Sequence, residues 1–203
     1  MVRVVAYVDG FNLYHGLKAK HGRRYLWLDL EALIASMLKR DQQLEAIRYF
    51  TARVRNDPPA LARQSTYLGA LSAHTGVQIV VGRFQEKHRT CWKCGATWRT
   101  YEEKETDVSI AVSLLEDGVA GRFDTALLLS ADSDLCPAVR ALKRLRPQTK
   151  VVAVFPPRRR SDDLRTACDA AFTLGDTKVR RAQLPPVVTA SDGTTYARPN
   201  RWS

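Results

Sequence analysis

Four aspartates stand at the edges of apolar runs, where their chemistry is informative. Asp9 ends "RVVAYVD", Asp132 and Asp134 follow "TALLLS" in the segment "SADSD", and Asp107 opens "TDVSIAVSLLEDG". Each has an ordinary local role available. Asp9 before Gly10 suits a turn, Asp107 after Thr106 suits a helix N-terminus, and "SADSD" can be a polar loop that caps the next helix. Gathered in one cleft, however, carboxylates repel and need protons or cations to hold them. Magnesium or manganese fits such a set, because hard ions take oxygen ligands and leave room for waters and a substrate phosphate. The chemistry implied is hydrolysis of a phosphodiester.

The elements that must position these acids follow from the hydrophobic pattern. Runs rich in branched residues recur at "RVVAYV", "LEAIRYFTARV", "VQIVVGRF", "TALLLS" and "TKVVAVF", with "AAFTL" as a sixth strand. Helical patterns lie between them: "LDLEALIASMLKR" with Asp29 as its cap, "PPALARQSTYLGALSAHTG", "TDVSIAVSLLEDGV", "DLCPAVRALKRL", and "SDDLRTACDAA" capped by Ser161. Strands alternating with helices predict an α/β fold with a mostly parallel sheet and right-handed crossovers. Ligands of such sheets gather at the carboxyl ends of the strands, where the strand order reverses. If the first strand and "TALLLS" are central neighbours, all four acids converge on one edge. Asn12, one turn into the first helix, can then orient a phosphate or water, or make a local backbone bond.

The alternation breaks once, over residues of about 85–105, where "QEKHRTCWKCGATWRTYEEKE" reads as an inserted hairpin. The domain spans residues 1–178, and 179–203 form an irregular tail that wraps the domain or hangs free, since three prolines interrupt it without periodicity.

Of 203 residues, 32 are Lys or Arg and 21 Asp or Glu, a formal charge of +11 that favours polyanionic partners, nucleic acid first. Solvated basic faces are the ordinary alternative. No window has the length of apolar residues that a membrane span needs, and the start lacks a signal peptide's apolar region. The expectation is a cytoplasmic protein without a membrane partner. Its four cysteines suggest reduced thiols or a metal rather than disulfides.

"YVDGFNLYHG", "EEKETDVSIAVSLLEDG" and "FDTALLLSADSDLCPAVRAL" together resemble the NYN domain family, related to PIN-like and LabA-like proteins. The blocks keep family order, and the likeness extends to "LPPVV" and "DGTTYARPNRW" in the tail. The resemblance implies a PIN-like three-layer α/β/α sandwich and metal-dependent ribonuclease activity. It assigns the metal ligands to Asp9, Asp107, Asp132 and Asp134, with Asn12, Lys104 and Ser130 at auxiliary positions. PIN relatives often carry a further acid on an earlier helix. Glu31 is the candidate for it, although the pattern sets Glu31 on a solvated face.

Inside the insertion, "HRTCWKCG" has the spacing of a zinc knuckle. It is half a site. His88, Cys91 and Cys94 supply three ligands, and closure would need His74, a distant cysteine or a second chain, which would make a homodimer. The competing reading is a reduced thiol pair in a hairpin turn. Trp92, Trp98 and Tyr101 interleave with Arg89, Lys93 and Arg99, a composition suited to stacking on unpaired bases while cations hold phosphates. Alternatively, the rings fasten the hairpin to the domain. Arg158, Arg159 and Arg160 in "PPRRRS" follow the fifth strand and form a second candidate phosphate track.

These readings converge on a divalent-metal-dependent ribonuclease acting on single-stranded RNA. The alternative is a nucleic-acid-binding or regulatory module that retains the acidic pocket without useful turnover. A metal-dependent phosphatase is disfavoured by the basic excess, and no glycine-rich nucleotide cradle supports it.

Overall fold

The computed structural model describes residues 1–202, apart from the side chains of residues 83–87 and 99–104. In chain order the strands are β1 (Val2–Asp9), β2 (Gln42–Ala52), β3 (Gln78–Thr90), β4 (Thr97–Lys104), β5 (Thr125–Leu129), β6 (Lys150–Phe155) and β7 (Ala170–Thr173). Among the described residues they form one sheet in the order β4-β3-β2-β1-β5-β6-β7. β4 pairs antiparallel with β3, and every other pairing is parallel. The chain steps outward from β1 through β4, then returns to add β5, β6 and β7 on β1's other side. The order therefore reverses between β1 and β5.

The helices are α1 (Gly10–His21), α2 (Leu30–Ala35), α3 (Pro58–His74), α4 (Thr106–Val119), α5 (Cys136–Leu145), α6 (Asp162–Ala167) and α7 (Asp176–Arg181). Alternation along β1 assigns them to two faces, because successive side chains of a strand point opposite ways. Val4, Ala6 and Val8 pack with Leu13, Leu33, Leu71 and Val179 under α1, α2, α3 and α7. Val5 and Tyr7 pack with Ile110, Leu114, Val139 and Leu164 under α4, α5 and α6. Covered on both sides, β1 has to be apolar throughout, as its sequence is. The result is the three-layer α/β/α sandwich.

Two elements differ from the pattern read in the sequence, and the tail takes one of the two courses read for it. α2 stops at Ala35, where the Ser36 hydroxyl bonds the Leu33 carbonyl at 2.7 Å, and Met37 and Leu38 pack on the core beyond the helix. β3 continues past Phe84 to Thr90, because its antiparallel partner supplies a ladder through the predicted insertion; Thr90 pairs with Thr97 at the hairpin's end. The tail wraps the domain, and the boundary drawn at residue 178 falls inside α7. Beyond α7, β8 (Val187–Thr189) and β9 (Thr195–Ala197) form a hairpin. Leu184, Val188 and Trp202 are buried in the core, and the Trp27 indole donates to the Pro185 carbonyl at 2.7 Å. These scattered apolar anchors carry no period, which is why the segment reads as irregular.

Candidate active site: a carboxylate cluster at the sheet edge

β1 and β5 run side by side, with Val8 opposite Leu129, so Asp9 and Ser130 leave the sheet as neighbours. The Asn12 amide donates to Asp9 Oδ1 at 2.9 Å, and the Ser130 hydroxyl donates to Asp9 Oδ2 at 2.8 Å. Asp9 is thus the N-cap of α1 and a member of the cluster at once. Next to it, a Cβ on Gly10 would lie 2.6 Å from the Phe50 carbonyl oxygen and 2.8 Å from the Tyr49 ring, so the turn requires glycine.

The "SADSD" loop is held by the same groups. The Ala131 amide donates to Asn12 Oδ1 at 3.3 Å and the Asp132 amide to Ser130 Oγ at 3.1 Å. Asp132 Oδ1 then accepts from the Asp134 amide at 2.9 Å, capping a single 3-10 turn that leads into α5. Asp107 arrives from a third direction, in the first turn of α4. Before it, Glu105 has a left-handed backbone (φ 77°), and the helix starts with no side-chain cap.

Electrostatics tie these segments together. Burial is the main cause of Asp9's raised pKa; the Asn12 and Ser130 bonds oppose it, and the charge of Asp132 adds to it. Asp107 is pushed up to about 6, first by desolvation and then by the charges of Asp132, Asp9 and Asp134. The carboxylates of Asp107 and Asp134 make no hydrogen bond or ion pair with the described residues, and no Lys or Arg among those residues pairs with any of the four acids. Among the described residues, no three His, Cys, Asp or Glu side chains already stand as a ligating group. The acids nonetheless offer carboxylate oxygens, those of Asp9 and Asp107 with raised proton affinity, and oxygen donors are what a hard divalent cation takes.

Glu31 lies elsewhere. It accepts from the Gly76 amide at 2.9 Å, just before β3 begins, and so sits at the opposite edge of the sheet from the carboxylates. Asp117, unremarkable in "LLEDG", is more deeply buried than Asp9. It accepts from Tyr7 at 2.7 Å, from Arg48 at 2.7 and 2.8 Å and from Arg122 at 2.8 Å. Fully partnered, it is structural.

The arginines after β6 border the site. Arg158, Arg159 and Arg160 line a cleft of about 330 Å³ together with His15 and Ala131, the residue between Ser130 and Asp132. Arg160 is paired with Asp162 at 2.8 Å. Burial and then the charge of Arg159 lower the pKa of His15.

Pairing of β2 with β3 ends at Gly82, whereas β3 runs on to Thr90. The hairpin arm therefore rises from the edge that carries the acids. At its tip Trp92 is 87% exposed, with the Lys93 ammonium 5.1 Å from the ring centre, and Trp98 is 48% exposed. Trp92 does not fasten the arm to the domain. Cys91 and Cys94 are free thiols; hydrogen bonds from the Cys94 and Lys93 backbones lower the Cys91 pKa. With His88 they form no three-ligand group among the described residues. The side chains of Arg99, Tyr101 and Lys104 lie outside the described residues.

The model of the NYN domain matches residues 3–175. A curated relative from Pseudomonas putida (strain DSM 28022 / S16), 6-hydroxy-3-succinoylpyridine 3-monooxygenase HspA, is 27% identical over 191 residues, covering 76% of this chain. The chain spans about 60% of that relative's length. Among solved structures, a protein of unknown function from Vibrio parahaemolyticus, VPA0982, superposes with a TM-score of 0.59 at 18% identity, over 86% of this chain and 94% of that one. That likeness shows a shared α/β fold.

Proposed function

The chain belongs to the NYN domain family, whose members are nuclease-like, and from that premise we propose that it is a divalent-metal-dependent ribonuclease cutting single-stranded RNA. The observation that supports the reading is the electrostatic coupling near the β1/β5 switch point, where the charges of Asp132, Asp9 and Asp134 act on Asp107 and that of Asp132 acts on Asp9. These four would hold magnesium or manganese. When bound, such an ion neutralises phosphate charge and makes water a better nucleophile.

The chain's own groups do the positioning. Ser130 and the Asn12 amide fix the two oxygens of Asp9, and the Asn12 side chain sets the Ala131 loop against it. Asp107 and Asp134 keep carboxylate oxygens clear of described protein donors, so they are available to a cation or to a proton leaving the attacking water. Arg158 and Arg159 suit the flanking phosphates, and the exposed rings of Trp92 and Trp98 suit unpaired bases.

The test is incubation of the pure protein with labelled single-stranded RNA in magnesium, manganese or chelator. Cleavage that requires metal supports the nuclease. Tight binding without cleavage supports the module reading, which draws on the lack of a preformed three-ligand group among the described residues. The curated relative's name specifies a substituted pyridine, and one feature of this chain favours a small-ring ligand as a separate reading: a ring-walled cavity beside α1.

A further inference from the structure

Next to Gly10, a cavity of about 350 Å³ opens between α1, α3 and the end of β2. Its size falls within the range of small-molecule sites, roughly 300 to 1,000 Å³. Leu13, Leu17 and Leu28 give it an apolar floor. Tyr49, Tyr67 and Trp202 form its walls and brace one another: the Tyr49 and Tyr67 rings meet edge to face at 6.4 Å, as do those of Tyr67 and Trp202 at 5.8 Å. The Tyr67 hydroxyl is already spent on the Leu28 carbonyl at 2.8 Å, which locks that ring in place. These are flat, rigid surfaces with little rotamer freedom left to lose.

The rim is cationic. Arg55 and Arg63 line the opening beside His15, and neither arginine has a hydrogen bond or ion pair with the described residues. Gln64, by contrast, is consumed by the backbone: its amide bonds the Ala52 carbonyl and accepts from the Val54 amide, both at 2.9 Å. The charged donors at the opening are therefore the two guanidinium groups, whose fork geometry matches a carboxylate or phosphate.

From this combination we infer that the cavity binds a planar aromatic ring carrying an anionic group, the ring between the tyrosine and tryptophan walls and the anion at Arg55 and Arg63. Two sources share that chemistry. One is a base of a bound strand with its phosphate, since Gly10 and Phe11 line the cavity and directly follow Asp9 in the chain. The other is a free aromatic acid. The inference does not depend on nuclease activity.

Calorimetric titration in EDTA tests it, because the cation-free carboxylates then hold no phosphate and Arg63→Ala separates the cavity from the cleft of Arg158 and Arg159. The probes are the four ribonucleoside 5′-monophosphates and 4-hydroxybenzoate, against wild type, Arg63→Ala and Ala60→Trp. Ala60 lines the cavity in the first turn of α3, where only its backbone amide is used, to Asp57. At least one ring anion is expected to bind wild type, about tenfold or more weaker to Arg63→Ala and not measurably to Ala60→Trp, with circular dichroism melts matching wild type. A nucleotide that binds best makes the cavity a base-holding subsite, and 4-hydroxybenzoate that binds best makes it a small-molecule site. Failure of every ring anion to bind wild type overturns the inference. So does binding that is unchanged in Arg63→Ala, a result that stands even if Ala60→Trp fails to fold.

Discussion

The Ser130 hydroxyl donates a 2.8 Å hydrogen bond to the buried Asp9 carboxylate across 121 positions of sequence. The same oxygen accepts from the Asp132 amide, so one small side chain joins the end of β1 to the acidic loop after β5. Removing it in Ser130→Ala leaves a buried carboxylate short of a donor, at a cost of about 1 to 3 kcal/mol. It also raises Asp9's proton affinity further, so thermal stabilisation by magnesium should demand a higher pH than in wild type. Melting curves across pH with and without magnesium check this. Wild-type stability and metal response in the variant would remove the hydroxyl from the cluster.

Asp132→Asn separates the local role of this residue from its charge. The asparagine oxygen can still accept from the Asp134 amide, so the cap survives while one of the mutually repelling charges is lost. The melting temperature in chelator should be unchanged or higher, and RNA hydrolysis should disappear. Magnesium or manganese should raise the wild-type melting temperature by mass action, and raise the variant's less. A variant clearly less stable in chelator, beside a wild type indifferent to metal, would make "SADSD" an ordinary turn.

The raised carboxyl pKa of Asp107 has a definite sign for stability. Between the ordinary value of 3.8 and its folded value of about 6, the folded chain binds more protons than the unfolded one. Stability without metal should therefore fall as pH rises from about 4 through about 6. Asp9 shifts the same way. Asp107→Asn should flatten this decline, by an amount reduced because Asp107 is solvent-accessible. Chemical denaturation in EDTA at pH 4, 5, 6 and 7 gives the slope; equal slopes for the two proteins would contradict the coupling.

Asp117 provides the contrast of an acid with structural work only. Asp117→Ala strands the buried Tyr7 hydroxyl and unpairs the half-buried Arg48 guanidinium, and should cost about 3 kcal/mol. The loss should be the same in magnesium and in EDTA. A metal-dependent difference would tie α4's last turn to the cluster.

Trp92→Ala should leave the melting temperature at the wild-type value, because the ring is 87% exposed. Stacking on a base is worth about 1 to 3 kcal/mol, so single-stranded RNA binding should weaken by about 5-fold to more than 100-fold. Fluorescence anisotropy in EDTA reads the affinity free of cleavage. Unchanged affinity would leave the hairpin tip without a role in binding.

Sequence alone determined what depends on local patterning. Apolar runs such as "RVVAYV" must be strands covered on both faces, and Asp29 and Ser161 cap helices where they stand. It also marked Asp9, Asp132 and Asp134 beside buried strand ends and Asp107 at the opening of a helix, where acids are chemically conspicuous. Tertiary structure decided which of those acids meet. The β1/β5 pairing joins Asp9 to Ser130, while Glu31, the candidate for a further acid, is carried to the opposite edge and bonded to Gly76. The tail, the Asp117 network and the ring-walled cavity were invisible for the same reason. Their members, among them Tyr7, Arg48, Tyr49, Arg63 and Trp202, have no mutual spacing, and only the order in which strands join the sheet brings them together.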